Sequence, residues 1–228
     1  MAAWLSGRSF NGVLSRCLGS QQTIEDAWIN YFCNTTNITK SRMEIHRSGI
    51  MWRYVRASMS LSGFLPPLCD RGDMLLDGGY MDNLPANDMR PFCERIIAVD
   101  VGAPDDMSPM EYGDTLSGWW VLWNSWNPFG SGKPRVRAPT IADIQSKLAY
   151  VSSVRQLEVV KELAGCLYVQ PPVSQFALLD FKRYNEIVQA GYEHGRELIE
   201  QWRQQGVLEE FINKPIDDGA RRARRLSF

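Results

Sequence analysis

Hydrophobic and polar positions along this chain change period several times, and each change predicts an element. From Ile24 to Phe32 apolar and polar residues alternate, and Cys33-Asn34-Thr35-Thr36-Asn37-Ile38-Thr39 extends the pattern with a Thr-rich run. Alternation rich in β-branched residues predicts a strand. Met43-Glu44-Ile45-His46-Arg47, closed by Ser48-Gly49, predicts a second strand, and the two suit a hairpin-like pair. From Met51 to Leu61 the spacing becomes helical, with Trp52, Val55, Met59 and Ser62 on one face. Gly63 ends that helix and Pro66-Pro67 forbid its continuation.

The next apolar run is Met74-Leu75-Leu76, and it stops abruptly at Asp77-Gly78-Gly79. Leu75-Leu76 read as the end of a buried strand, with Asp77 where that strand leaves the sheet. Gly78 and Gly79 suit a backbone with positive φ or the close approach of a ligand. Asn87-Asp88 suit the start of a short helix through Cys93. Ile96-Ile97-Ala98-Val99-Asp100-Val101, followed by Gly102, predicts a strand buried on both faces, as in a parallel sheet. Strand, helix and strand in this order predict an α/β layer structure.

Residues 103–140 read as a long irregular insertion. It holds Trp119, Trp120, Trp123 and Trp126, with Phe129 after them. Loops of that length in compact domains are usually functional, and tryptophans among small polar residues suit a membrane interface. A flap packed on the domain's own core is the alternative. Ile141 to Leu163 predicts a helix with Ile144, Leu148, Val151, Val154, Leu157 and Val160 on its apolar face. Leu167-Tyr168-Val169 predicts a short strand, stopped by Pro171-Pro172. The strongest helical periodicity runs from Tyr184 to Trp202, where Gly191 and Gly195 predict close approach to a neighbour. The first 20 residues show no strong strand and no clean cap. The Arg-rich end, Arg221 to Phe228, predicts a solvated tail. Its arginines would place Ser227 in a context suited to a basophilic kinase, and would weakly favour an anionic membrane.

Composition narrows the function classes. The chain has 228 residues, enough for one sizeable core or at most two small domains. It is 44% apolar and 22% charged with a net charge of −1, so nothing favours nucleic acid as a partner. Five scattered cysteines without a Cys-x-x-Cys pair suggest buried, reduced thiols in a cytosolic protein, and they argue against a structural zinc site. No cofactor is expected. No run reaches the ~18 apolar residues of a spanning helix, and the first residues lack a signal-peptide apolar core. Asn34-Thr35-Thr36 and Asn37-Ile38-Thr39 match the glycosylation sequon. Only two histidines occur, His46 and His194, and neither has a motif around it. Both read as structural or surface residues.

That leaves Asp77 as the candidate for chemistry. In open α/β sheets ligands bind outside the carboxyl ends of strands, which favours a functional acid. The local pattern by itself favours a turn acid that caps the next helix or hydrogen-bonds its own loop.

The wider context resembles a known family. Asp77-Gly78-Gly79-Tyr80 with Asn83-Leu84-Pro85, preceded by Arg56-Ala57-Ser58-Met59-Ser60 and Pro66-Pro67, resembles the second half of a patatin-like phospholipase domain. Trp52 to Met59, Leu116-Ser117-Gly118-Trp119-Trp120 and Tyr150 to Lys161 resemble the neuropathy target esterase branch. The likeness runs from about Phe10 to about Trp202. It implies an α/β, three-layer patatin-like fold with a mainly parallel central sheet. It implies a serine acyl hydrolase working through a Ser–Asp dyad without a catalytic histidine, Asp77 being the base and Asp77-Gly78-Gly79 the motif. The implied substrates are phospholipids and lysophospholipids at the cytosolic face of the endoplasmic reticulum.

The family's nucleophile lies in Gly-x-Ser-x-Gly on a strand-to-helix turn, and these residues contain no such motif. Gly7-Arg8-Ser9-Phe10-Asn11-Gly12 has the wrong spacing, and Gly130-Ser131-Gly132-Lys133 lacks the strand context. The Gly-rich oxyanion loop that precedes the serine is missing too. The expectation is therefore an N-terminally truncated domain, inactive alone. Residues 1–20 would be a remnant of the preceding part, 21–205 the C-terminal part of the patatin-like domain, and 206–228 a flexible basic tail. The alternative is a non-catalytic lipid- or membrane-binding fragment using the Trp-rich insertion.

Overall fold

The computed structural model describes residues 7–102, 115, 117–119, 141–176 and 180–213. Helix α1 (Arg8–Leu18) lies where no capped element was predicted. It starts at Gly7 (φ 75°) and ends at Gly19 (φ 83°), and its first turn has no side-chain cap. Glycine punctuation replaces the usual Ser, Thr, Asp or Asn signal. The predicted hairpin pair is β1 (Cys33–Asn37) and β2 (Arg42–His46), antiparallel with Cys33 opposite His46. Helix α2 (Met51–Ser58) packs on α1 and β1, and it ends at Met59, before Gly63.

Strands β3 (Leu68–Asp70) and β4 (Asp73–Asp77) complete an antiparallel sheet of order β2-β1-β4-β3. Between them Arg71 (φ 49°) and Gly72 (φ 90°) both take the left-handed region. Two such residues match the twist of a tight hairpin. The predicted run at Ile96 is β5 (Ile96–Val99), which pairs in parallel with β6 (Cys166–Val169). Helix α3 (Ile141–Lys161) lies between them in sequence and packs on β6. Ile96, Ala98 and Val160 form the buried core there, with Leu163 and Tyr168 against them. The α/β class holds. The parallel pairing belongs to β5–β6, while the sheet that carries Asp77 is antiparallel.

Three burial expectations are corrected. Ile97, Val99 and Val101 are exposed, so only alternate residues of β5 are buried. On α3, Ser153 and Val160 are buried, whereas Ile144, Leu148, Val151 and Val154 face outward. Helix α3 also packs on the turn Gly78–Tyr80 that follows β4. Helix α4 (Tyr184–Gln204) has no buried residue, and a Cβ at Gly191 or Gly195 would meet nothing within 4 Å. Among the described residues its main neighbours are the short turn Phe181–Arg183 and α5 (Val207–Asn213). Helix α5 itself lies within the stretch expected to be a flexible tail.

None of the five cysteines forms a disulfide, and only Cys33 is buried. Cys69 sits on the outward side of edge strand β3, and Cys17 is on α1, which has no buried residue. Among the described residues no helix is long and apolar enough to cross a membrane.

Candidate active site

Strand β4 delivers Asp77 to its place. Its Leu75 is buried, and the last pair of the ladder sets Asp77 opposite Thr35 of β1. Beyond that pair a 3-10 turn, Gly78–Tyr80, takes over. The Asp77 backbone is held from two sides. Its N–H donates to the Ser60 carbonyl at 3.2 Å, just past α2. Its carbonyl accepts from the Thr36 hydroxyl at 2.8 Å.

The side chain is bound at one oxygen. Asp77 Oδ1 accepts the Gly79 N–H at 2.8 Å. Oδ2 makes no hydrogen bond to a described residue. Burial pushes the carboxyl above its ordinary value, and the Gly79 N–H pulls against that rise. A carboxylate with one oxygen fixed, the other open and a raised pKa is a better proton acceptor than an ordinary surface acid.

The two glycines are required by close approach. Neither has a positive φ. A Cβ on Gly78 would lie 2.4 Å from Asn34 Oδ1 and 2.5 Å from the Asn34 carbonyl oxygen. A Cβ on Gly79 would lie 2.9 Å from Asn83 Oδ1 and 3.1 Å from Asp77 Oδ1. The sequence offered positive φ or a ligand; the structure brings the protein's own Asn34 against the turn. The turn closes when the Gly78 carbonyl accepts from the N–H groups of Met81 (3.0 Å) and Asp82 (2.9 Å). Tyr80 then anchors it outward. Its hydroxyl accepts the Ser62 N–H at 2.9 Å, and its carbonyl accepts the Ser152 hydroxyl of α3 at 3.3 Å.

A second acid repeats the local bond without the open oxygen. Asp100, at the end of β5, is only 3% exposed. Its Oδ1 accepts the Gly102 N–H at 2.8 Å and its Oδ2 accepts the Tyr168 hydroxyl at 2.5 Å. Both oxygens are filled, so Asp100 closes a structural network. His46 is likewise occupied. Its Nε2 is 2.7 Å from the Thr35 hydroxyl, and its ring stacks on Tyr54 with centroids 4.1 Å apart.

Both sequon asparagines are buried, Asn34 at 7% exposure and Asn37 at 0%, so neither accepts a glycan in the folded chain. Of the four tryptophans of the insertion, Trp119 is 84% exposed. Trp120, Trp123 and Trp126 lie outside the described residues, as do Phe129, the Gly130–Lys133 stretch, the Arg-rich tail and Ser227. The residues that hold Asp77, namely Asn34, Thr36 and Ser60, were not singled out from sequence as its supports. The available signal was polar residues in a strand hemmed in by others, because a buried polar run needs partners.

An acid thus stands at the end of β4, and the glycine turn that follows it binds one of its oxygens. Residues 4–90, Asp77 among them, match the patatin-like phospholipase family model, and the chain belongs to that family. Its relatives define the neuropathy target esterase-like branch. Lysophospholipase nte1 of Neurospora crassa is 51% identical over 208 residues, covering 91% of this chain and 14% of that protein. Lysophospholipase NTE1 of Pyricularia oryzae is 52% identical over the same coverage, and that of Yarrowia lipolytica is 52% identical over 205 residues. The chain thus spans 14% of the length of these relatives.

Proposed function

We propose that this chain carries the carboxylate half of a serine acyl-hydrolase site acting on lysophospholipids and phospholipids, with Asp77 as the base. The observation that supports it is the Asp77 carboxyl itself. One oxygen is tied to Gly79, the other is free of described partners, and burial raises its proton affinity. A serine hydroxyl is a weak nucleophile until a base takes its proton, and such a carboxylate serves without a histidine. The relatives are named lysophospholipases, which supports the ester class.

Because these residues hold no Gly-x-Ser-x-Gly, the serine and its oxyanion donors come from outside them, and the 228 residues alone are inactive. The test has two arms. A serine-directed fluorophosphonate should leave the 228-residue chain unlabelled; specific labelling would refute inactivity. In a polypeptide that joins this chain to a Gly-x-Ser-x-Gly segment of the family, Asp77→Asn should cut lysophospholipid hydrolysis by at least ~100-fold, the scale of general-base catalysis. Hydrolysis that survives that substitution would remove Asp77 from the mechanism.

A second reading concerns the membrane. The exposed Trp119 supports peripheral contact with phospholipid through Trp119, Trp120, Trp123 and Trp126, which fits work at the cytosolic face of the endoplasmic reticulum. Co-sedimentation with phosphatidylcholine vesicles should fall when Trp119, Trp120 and Trp123 become Ala and should ignore Asp77→Asn.

A further inference from the structure

The Asp77–Gly79 bond is local, but the turn that sets its geometry is held from another strand. Register puts Thr35 opposite Asp77, so Asn34 on β1 faces the first residue of the turn. Gly78 is pressed onto it, close enough that a single added Cβ would overlap both the side chain and the backbone of Asn34. The Asn34 Nδ2 then reaches to the far end of the turn and donates to the Asp82 carbonyl at 2.6 Å. A weaker contact, 3.6 Å to Met43 Sδ, steadies the amide from β2. One side chain therefore touches both ends of the Gly78–Asp82 turn. With 7% exposure it leaves little room for water to replace it.

The other supports act differently. Thr36 and Ser60 bind the Asp77 backbone itself, and Tyr80 ties the turn to the Ser62 backbone and to α3. None of these spans the turn. The Gly79 N–H points at Asp77 Oδ1 only while Gly78 and Asp82 stay in place, because the Gly78 carbonyl receives the Met81 and Asp82 N–H groups.

We infer that Asn34 is the positioning residue of the Asp77 turn, bridging Gly78 and Asp82 so that the Gly79 N–H stays fixed on Asp77 Oδ1 while Oδ2 remains open. This rests on the reading of Asp77 as the base, but the test below reads the turn directly and needs no hydrolysis. Loss of the hydrolytic proposal and loss of this one would thus be told apart.

The experiment uses the whole 228-residue chain and its Asn34→Ala and Asn34→Asp variants. Amide hydrogen exchange at Gly79, Met81 and Asp82 is measured by NMR beside that of the β1–β4 ladder, and the Asp77 carboxyl is titrated by its carbon shift. In Asn34→Ala the three turn amides should exchange at least ten-fold faster while the ladder is unchanged. The Asp77 midpoint should rise as the Gly79 N–H, which opposes the effect of burial, lets go of Oδ1. In Asn34→Asp the same amides should speed up, since an ionised carboxylate cannot donate to the Asp82 carbonyl. Unchanged turn amides and an unchanged Asp77 midpoint would overturn the assignment. So would a loss of protection spread evenly over the sheet, which would make Asn34 a support of the fold at large.

Discussion

The N–H of Gly79 and Oδ1 of Asp77 lie 2.8 Å apart, the distance that also separates the Gly102 N–H from Asp100 Oδ1. Each strand end thus carries an Asp whose side chain binds the amide two residues on. What separates the two acids is the second oxygen. Tyr168 fills it in Asp100, whereas no described residue fills it in Asp77. The local bond is a turn feature in both cases, and availability for chemistry depends on what packs around the other oxygen.

The first prediction concerns stability and pH at Asp77. Burial is the main cause of its raised pKa, and the Gly79 N–H opposes it. A carboxyl whose pKa is higher folded than unfolded binds its proton more tightly in the fold. Its contribution to stability is complete below the unfolded pKa and is lost as pH rises through the folded value. Ionised Asp77 therefore works against the fold near neutrality. Asp77→Asn should raise the Tm at about pH 7, and the gain should shrink as pH falls through the raised folded value toward the ordinary carboxyl value of about 4. Calorimetry on both chains across that window checks it, and a constant difference in Tm would contradict the assignment of a raised pKa.

The second concerns the two glycines, which the contacts rank. An alanine at position 78 would meet the Asn34 backbone oxygen at 2.5 Å, and backbone cannot swing aside. Gly78→Ala should cost about 1–3 kcal/mol or more by overpacking. At position 79 the obstacles are the Asn83 and Asp77 side chains at 2.9 and 3.1 Å. Gly79→Ala should cost less in urea denaturation, yet shift the Asp77 titration more per unit of stability lost, because it pushes the carboxylate itself.

Much of this was legible because it was local. The strands around Met43 and Ile96, the helix at Met51 and the strand ending at Asp77 followed from period and punctuation. What was missed depended on tertiary partners. Hairpin β3–β4 turns on Arg71, a non-glycine residue with positive φ, and only its pairing with the sheet makes that plain. Helix α3 turns its apolar row outward, while Ser152 donates to the Tyr80 carbonyl of the Asp77 turn and Ser153 is buried. Asp77 was readable as a strand-end acid, but its support was not. Asn34 sits 43 positions earlier, in a motif that read as a sequon.

The third prediction separates the structural acid from the open one. Tyr168→Phe removes the only side-chain donor to Asp100 Oδ2 among the described residues. A buried acceptor left unpaired costs about 1–3 kcal/mol, so the denaturation midpoint should fall by that scale. The Asp77 titration should not move, since the two acids belong to different sheets. A shift at Asp77 on Tyr168→Phe would show the two strand ends to be coupled.

The last prediction rests on His46. Burial lowers its pKa below the ordinary 6.5, while the carboxylates of Glu44 and Asp70 pull it back up. The neutral ring accepts the Thr35 hydroxyl at Nε2 when its hydrogen is on Nδ1, and it lies nearly flat on Tyr54, 14° from parallel. A base whose pKa is lower folded than unfolded stabilises the fold fully above the unfolded value. That contribution is lost as pH falls through the folded one. Acidification from about pH 7 to about pH 5 should therefore lower the Tm through His46, and His46→Gln should flatten that slope while still offering Thr35 an acceptor. With only two histidines in the chain, ring titration by NMR assigns the midpoint directly. A His46 midpoint at or above 6.5 would refute the neutral, hydrogen-bonded ring, and with it the reading that the Thr35 hydroxyl, opposite Asp77 in the ladder, is committed to His46.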